Sequence, residues 1–339
     1  GYVKPNKPAH SSGQKVAVIG SGPAGLTVAG DLAKMNFAVT ILEGQSEPGG
    51  ILLFGIPEFR LQKDVVRREI TELLHLGVEI KTNMLVGPDF TVDDLFEQGY
   101  DAVFMGTGTS LPRTLDIPGK ELSGILTATY FLRMVVLSDS GKLDESETLL
   151  HDGDNVVVIG AGNVAMDAAR TCVRLGAASV TVAYRRGEAN MSALKSEYEE
   201  AKEEGVDFKF YSAPKAVEGE GNVVTGLRCE RQDVDENGKM TPTGEEFVIP
   251  ANKIIIAIGH KPNTKLSGPG NNIELNEDGY IITREMPYGM TSRPGVFAGG
   301  DVVHKPATVV LAMRAAKKVV EGMVNYCEAK RYLGETNSL

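Results

Sequence analysis

One dinucleotide-binding signature occurs twice in this chain, and the two copies end on opposite charge. Residues 16–43 read VAVIGSGPAGLTVAGDLAKMNFAVTILE, and residues 156–186 read VVVIGAGNVAMDAARTCVRLGAASVTVAYRR. Each is an apolar run, a glycine-rich turn, a helical stretch and a second apolar run, the order of a βαβ nucleotide-binding unit. A chain with two such units is confined to the α/β class. The expected architecture is two Rossmann-like dinucleotide-binding domains of the three-layer ββα kind.

In the first copy Gly20, Gly22 and Gly25 form G-x-G-x-x-G directly after the strand KVAVIG. The first glycine permits the tight turn, the second admits a pyrophosphate to the backbone, and the third lets helix and strand pack closely. Ser21, Pro23 and Ala24 complete that turn. Glu43 ends the next strand, about 20 residues on, where a carboxylate accepts hydrogen bonds from ribose hydroxyls. In the second copy Gly160 and Gly162 are followed by Asn163 and Val164, and Ala165 replaces the third glycine. Tyr184 stands where an acid would select a free 2′-hydroxyl, and Arg185 and Arg186 follow it. Guanidinium forks suit a phosphate dianion, so the second site reads as NADP(H) in preference to NAD(H). Two unlike dinucleotides on one chain point to electrons passing between them, and hence to an oxidoreductase.

Composition narrows the alternatives. With 339 residues, 42% apolar and 24% charged, the chain is long enough for two or three domains with cores of their own. A net charge of −10 argues against general nucleic-acid binding. No apolar run reaches the ~18–20 residues that span a bilayer. Cys172, Cys229 and Cys327 are far apart, with no CxxC pair and no four-cysteine cluster. They cannot form a disulfide framework, a redox dithiol or an iron–sulfur site, so no metal is expected and a reducing cytoplasm fits best.

Along the chain, residues 1–14 read as a polar linker, the kind that follows another segment. Residues 15–118 read as the first part of the first dinucleotide-binding domain, 119–150 as a connection, 151–285 as the second dinucleotide-binding domain, which takes NADP(H), and 286–339 as the second part of the first domain. The second domain is thus an insertion, as the proximity of domain ends allows. The acidic stretch SALKSEYEEAKEEG reads as a solvated helix face, and VVTGLRCERQDV and EEFVIP as antiparallel strands. A helix is expected from Ala307 to about Cys327.

Two distant segments favour FAD over NAD as the first ligand. They are GTGTSLPRTLDIPG (106–119), where Thr107 and Gly108 end a strand, and GVFAGGDVVHKPATVVLAM (295–313), where Gly300 and Asp301 precede a helix. The ordered set GSGPAG, Glu43, PGG, GIPEFRL, GTGT, the second glycine motif, AIGHKPN and AGGD…ATVVLAM resembles the small subunit of glutamate synthase and its relatives. That resemblance covers about residues 15–327. It implies that Asp301 binds the ribityl-phosphate region of FAD, and that Ala307, Thr308 and Val309 start the helix beneath the flavin ring. It also puts Gly50, Ile51 and Arg60 along the flavin side and Gly259 at the nicotinamide pocket. His260 beside it has no expected role, since hydride transfer needs no general base.

The reaction implied is hydride transfer between NADPH and flavin, with no catalytic side chain, the cofactors supplying reactivity and the protein geometry. The electrons would then go to an iron–sulfur subunit or ferredoxin-like acceptor in a hetero-oligomeric complex. The alternatives are a stand-alone diaphorase, a ferredoxin-NADP-type reductase subunit and a non-catalytic flavin-binding assembly subunit. The family pattern that the resemblance implies tends to have glycine or another small residue near Lys305, Arg314 and Ala316, and proline near Gln62 and Ser192.

Overall fold

The computed structural model describes residues 12–87, 90–141, 149–235, 239–267, 271–306 and 308–336. The elements run in order from β1 (Lys15–Ile19), α1 (Pro23–Lys34), β2 (Ala38–Leu42), α2 (Ile51–Phe54), α3 (Lys63–His75), β3 (Glu79–Lys81), α4 (Val92–Glu97) and β4 (Ala102–Met105) to β5 (Leu111–Pro112). Next come β6 (Ile125–Thr127), α5 (Ala128–Asp139), β7 (Asn155–Ile159), α6 (Asn163–Arg174), β8 (Ser179–Ala183), α7 (Lys195–Glu203) and β9 (Asp207–Lys209). The strands β10 (Ser212–Glu220), β11 (Val223–Val234), β12 (Met240–Pro250) and β13 (Lys253–Ile256) follow. The chain closes with β14 (His260–Lys261), α8 (Thr264–Ser267), β15 (Thr283–Glu285), β16 (Tyr288–Thr291), β17 (Val296–Ala298) and α9 (Val309–Thr336).

Two compact units result. The first comprises residues 1–53, 61–111 and 260–339, and the second residues 54–60 and 112–259, so the second is inserted into the first. In the first unit seven strands lie in the order β15-β16-β17-β4-β1-β2-β3. The β17, β4, β1, β2 and β3 strands are parallel, and the β16 and β15 strands extend them antiparallel. The strand β1 is buried on both faces, as a central parallel strand must be. Val16 and Val18 pack with α1 and α9, through Val28, Leu32, Val319 and Met323. Ala17 and Ile19 point the other way, into a cluster with Leu95, Ile273 and Ile281. The period-2 alternation of VAVI therefore supplies two cores at once.

The second unit has a five-stranded parallel sheet, β6-β13-β7-β8-β9. Val156 and Val158 face helices α5 and α6 through Phe131 and Met166. Val157 and Ile159 face the antiparallel sheet β10-β11-β12 through Val217, Leu227 and Ile249. Helix, parallel sheet and antiparallel sheet are the three layers expected.

The residues divide differently from the expected boundaries. The stretch 119–150 is more than a connection: β6 joins the second sheet beside β13, with Ile125 opposite Ile254, and α5 packs on it. Residues 260–285 return to the first unit, because Ile273 and Ile281 complete its core. Residues 54–60 leave the first unit for the second. The final helix runs on to Thr336, beyond Cys327. The strand β4 stops at Met105, so Thr107 and Gly108 lie in the irregular stretch after it. Of the expected linker, residues 1–11 lie outside the described residues. Among the described residues no helix is long and apolar enough to cross a membrane.

Candidate functional site

In the first unit the turn after β1 is closed in part by backbone. Gly20 has φ +93° and donates its N–H to the Leu42 carbonyl at 2.8 Å. A Cβ on Gly25 would lie 2.0 Å from the Gly20 carbonyl oxygen, so only glycine fits there. Gly22 differs: its φ is −69° and a Cβ there would meet nothing within 4 Å. The space over Gly22 is therefore open, at the N-terminus of α1 where unpaired amides favour an anion. Pro23 is the first helical residue, and Ala24 packs inward.

Two further turns close around this one. A Cβ on Gly50, whose φ is +52°, would come within 2.9 Å of the Gly22 Cα. One on Gly300, at φ +77°, would come within 2.9 Å of the Ala24 Cβ. The cradle also takes in Gly106, whose N–H reaches the Ile19 carbonyl at 2.8 Å. Backbone stripped of side chains at the ends of β1, β4 and β17 suits a long phosphate-bridged dinucleotide, and FAD fits this donor set. Thr107 and Gly108 sit half-exposed just past Gly106, and Ile51 is exposed at the start of α2.

Glu43 is buried at 7% exposure, and the structure gives it a second task. One carboxylate oxygen accepts the Ser21 N–H at 2.9 Å and its hydroxyl, and the other accepts the Gln45 N–H at 2.8 Å. The Ser21 hydroxyl in turn accepts the Gly49 N–H at 2.9 Å. The acid thus locks the glycine turn to the Gly49–Gly50 turn, and a carboxylate has lone pairs left for one more donor. Ser21 was legible only as turn filler; its fully buried hydroxyl is what joins the two turns.

At the end of β17, Asp301 is half-buried, and burial raises its carboxyl above the ordinary range against the opposing charge of His304. Thr308 caps α9, its hydroxyl accepting the Leu311 N–H at 3.3 Å, and Val309 begins the helix. Ala307 lies outside the described residues.

The second unit repeats the cradle. Gly160 has φ +124°, and a Cβ there would lie 2.3 Å from the Ala257 carbonyl. Gly162 precedes α6, Val164 is half-buried in its first turn, and Ala165 is fully buried where the third glycine would be. A loop crosses the turn. Ser192 and Ala193 donate to the Ala161 carbonyl at 3.2 and 3.1 Å, and Leu194 donates to the Asn163 side chain at 3.0 Å. Gly259, at φ +95°, follows β13, and its carbonyl accepts the Arg113 N–H at 2.9 Å.

After β8 the Tyr184 hydroxyl donates to the Asn190 carbonyl at 2.8 Å. Arg185 and Arg186 are exposed, and neither guanidinium has an ion-pair or hydrogen-bond partner among the described residues. The arginines at 60, 67, 170, 174, 228, 231 and 293 all pair with carboxylates. A free pair at the strand end is the arrangement a 2′-phosphate needs.

Arg60, expected on the flavin side, belongs to the second unit. Its guanidinium donates to Asp167 at 2.6 Å and to Glu197, both of the second unit and both buried. Burial raises the Asp167 carboxyl to about 6, with Arg60 opposing and Glu197 reinforcing the shift. The neighbouring Phe59 ring lies under Arg170 and Arg174, at 4.7 and 4.2 Å. The acidic helix α7 is therefore only partly solvated: Glu197, Tyr198 and Ala201 are buried. The three thiols are buried, and burial pushes those of Cys229 and Cys327 up to about 12. Burial also lowers the His260 imidazole, favouring its neutral form.

The family model for pyridine nucleotide-disulphide oxidoreductases matches residues 14–316. The chain belongs to that family. It is 37% identical over 328 residues to the glutamate synthase [NADPH] small chain of Escherichia coli (strain K12), covering 94% of this chain and 69% of the relative. It is 38% identical to the NADP(+)-dependent formate dehydrogenase subunit beta of Moorella thermoacetica, covering 93% of this chain and 44% of that one. The fold matches Mycobacterium tuberculosis FprA in complex with NADPH, with a TM-score of 0.78 at 19% identity, covering 95% of this chain and 86% of FprA. The glutamate synthase resemblance read from the motifs holds over the whole matched length. The chain is an FAD-containing NAD(P)H oxidoreductase.

Proposed function

We propose that this chain draws reducing equivalents from NADPH and delivers them to an iron–sulfur protein, as one subunit of a hetero-oligomeric complex. The observation that carries this reading is the contrast between the two cradles. One ends its second strand in the buried acid Glu43, and the other in the unpaired cations Arg185 and Arg186. An acid suits ribose hydroxyls and repels phosphate, while two free guanidiniums suit the 2′-phosphate of NADPH.

When bound, FAD supplies the two-electron chemistry, accepting a hydride from the nicotinamide and passing electrons on singly. The protein's part is to hold and orient. Gly20, Ser21, Gly22, Pro23, Ala24 and Gly25 receive the FAD pyrophosphate, with Gly50, Ile51, Thr107, Gly108 and Gly300 as backbone walls. Glu43 takes the adenosine ribose and Asp301 the ribityl end. Thr308 and Val309 at the start of α9 direct helix amides at the ring, where they favour negative charge. Gly160, Gly162, Asn163 and Val164 receive the NADP pyrophosphate, and Gly259 closes that pocket.

Three buried thiols fit a reducing cytoplasm, and they leave no dithiol to take the electrons. The relatives named for glutamate synthase and formate dehydrogenase are subunits of larger enzymes, which supports a partner chain as the outlet. The test is anaerobic mixing of the FAD-loaded chain with NADPH. Loss of the yellow flavin absorbance within the turnover time is expected, and an unchanged spectrum overturns the reading.

A further inference from the structure

Beside Asp301 the first unit has an open cavity of about 320 Å³ between α9 and the turn that follows β17. Lys305, Arg314 and Lys318 line it, with His304 and Leu311. All three long cations are exposed, and none has an ion-pair partner among the described residues. Elsewhere exposed lysines are commonly matched with acids: Lys120 with Asp116, Lys209 with Asp207, Lys215 with Glu230 and Lys317 with Asp31. Arg314 and Lys318 also stand one helical turn apart on α9, where like charges repel and weaken the helix. A cluster that folding disfavours, in a chain of net charge −10, is a local inversion of the protein's field. On the same stretch of α9, Leu311 is 50% exposed and Val310 70% exposed, giving the cations an apolar seat.

We propose that this groove docks an acidic iron–sulfur protein, the electron acceptor of the proposed function, on which the inference rests. A basic rim around an apolar centre selects an acidic protein surface and steers its approach. The wall shared with Asp301 sets that partner against the flavin side of the unit. The balance is one NADPH oxidised to NADP⁺ with release of one proton, and two clusters each gaining one electron. No bond forms to the partner.

The test uses the FAD-loaded chain with NADPH, a small acidic [2Fe–2S] ferredoxin as protein acceptor, and menadione as a neutral one. Arg314→Glu with Lys318→Glu raises the KM for ferredoxin about tenfold or more and flattens its salt dependence. The kcat and menadione turnover stay unchanged. The charge-matched control, Lys195→Glu with Lys209→Glu, leaves the ferredoxin KM where it was. An unchanged KM in the first variant, an equal rise in the control, or a native chain that reduces menadione but never ferredoxin overturns the docking site. A native chain that oxidises NADPH with neither acceptor overturns the proposed function instead. Should the charge-reversed chain fail to fold, Arg314→Gln with Lys318→Gln gives the same reading with a smaller rise, and an unchanged KM there overturns the site equally.

Discussion

Arg60 donates to Asp167 at 2.6 Å and to Glu197, so one cation from the loop after α2 serves two buried acids on α6 and α7. One oxygen of Glu197 is buried with no hydrogen-bond partner, so the cluster is short of donors as well as of positive charge. Replacing Arg60 with Met leaves both carboxylates buried without their shared cation. Unfolding free energy falls by about 3 kcal/mol, the cost of breaking a buried ion pair from one side. Urea denaturation measures it, and Asp167→Asn in the same chain restores part of the loss.

Asp167 also gives the fold a pH dependence of definite sign. Unfolded, its carboxyl ionises near the ordinary 3.8; folded, burial holds it at about 6. Between those values the native state keeps a proton the unfolded chain has lost. Stability therefore declines as pH rises from about 4 to about 6 and is level above. The Asp167→Asn chain lacks this decline. Its stability relative to the native chain climbs by about 2–3 kcal/mol between pH 4 and pH 7, which denaturation curves at several pH values would register.

Gly22 and Gly25 are three residues apart, and they respond to the same methyl group in different ways. At Gly25 the added Cβ collides with backbone 2.0 Å away, so Gly25→Ala disrupts the β1–α1 turn itself and lowers the melting temperature. At Gly22 the φ of −69° suits alanine and nothing is in reach, so apo stability stays within about 0.5 kcal/mol or improves. The methyl instead fills the space reserved for pyrophosphate. Gly22→Ala weakens FAD affinity at least tenfold, measured by flavin fluorescence titration.

Arg185 and Arg186 carry the coenzyme preference. Changing both to Ala removes two charge-assisted contacts, each worth about 1.5–3 kcal/mol. The ratio of kcat/KM for NADPH over NADH falls by 10²-fold or more on that estimate. Equal losses with both coenzymes would show that the arginines serve stability and not the phosphate.

Cys229 and Cys327, with thiols pushed to about 12, and the more deeply buried Cys172 are protonated and out of reach at neutral pH. Ellman's reagent modifies none of them in the native protein and all three in urea.

The two nucleotide units were legible because their chemistry is local. A period-2 apolar run, a glycine turn and a terminal acid or arginine pair all fall within a short stretch of chain, and the structure keeps them in that order. What was illegible depends on partners far along the chain. Ile125 and Phe131 look like part of an apolar connection until β13, from Lys253, runs beside them. Asp167 and Glu197 look like helix-surface acids, and only the arrival of Arg60 from 107 residues away makes their burial tolerable. One signal was available: Asp167 and Arg170 interrupt the otherwise apolar set Ala165, Met166, Ala168, Ala169 and Cys172, where a solvated helix would keep its charges on the opposite face. Lys305 and Arg314 stand out against the family pattern, but Lys318 does not, and the gathering of the three around one cavity was not visible.

The insertion has a consequence for how the protein is made. The strand beside β4 that supplies Gly300 and Asp301 is β17, at Val296–Ala298, and α9 follows it. On a ribosome the Gly20 turn emerges before the whole of the inserted unit, and its opposite wall is translated only after that unit. The inserted unit, continuous from Pro112 to Gly259 except for the loop at 54–60, can condense while the first unit is still waiting. Nascent chains halted before β17 therefore come off colourless, and yellow pigment marks a polypeptide whose synthesis has run past Asp301.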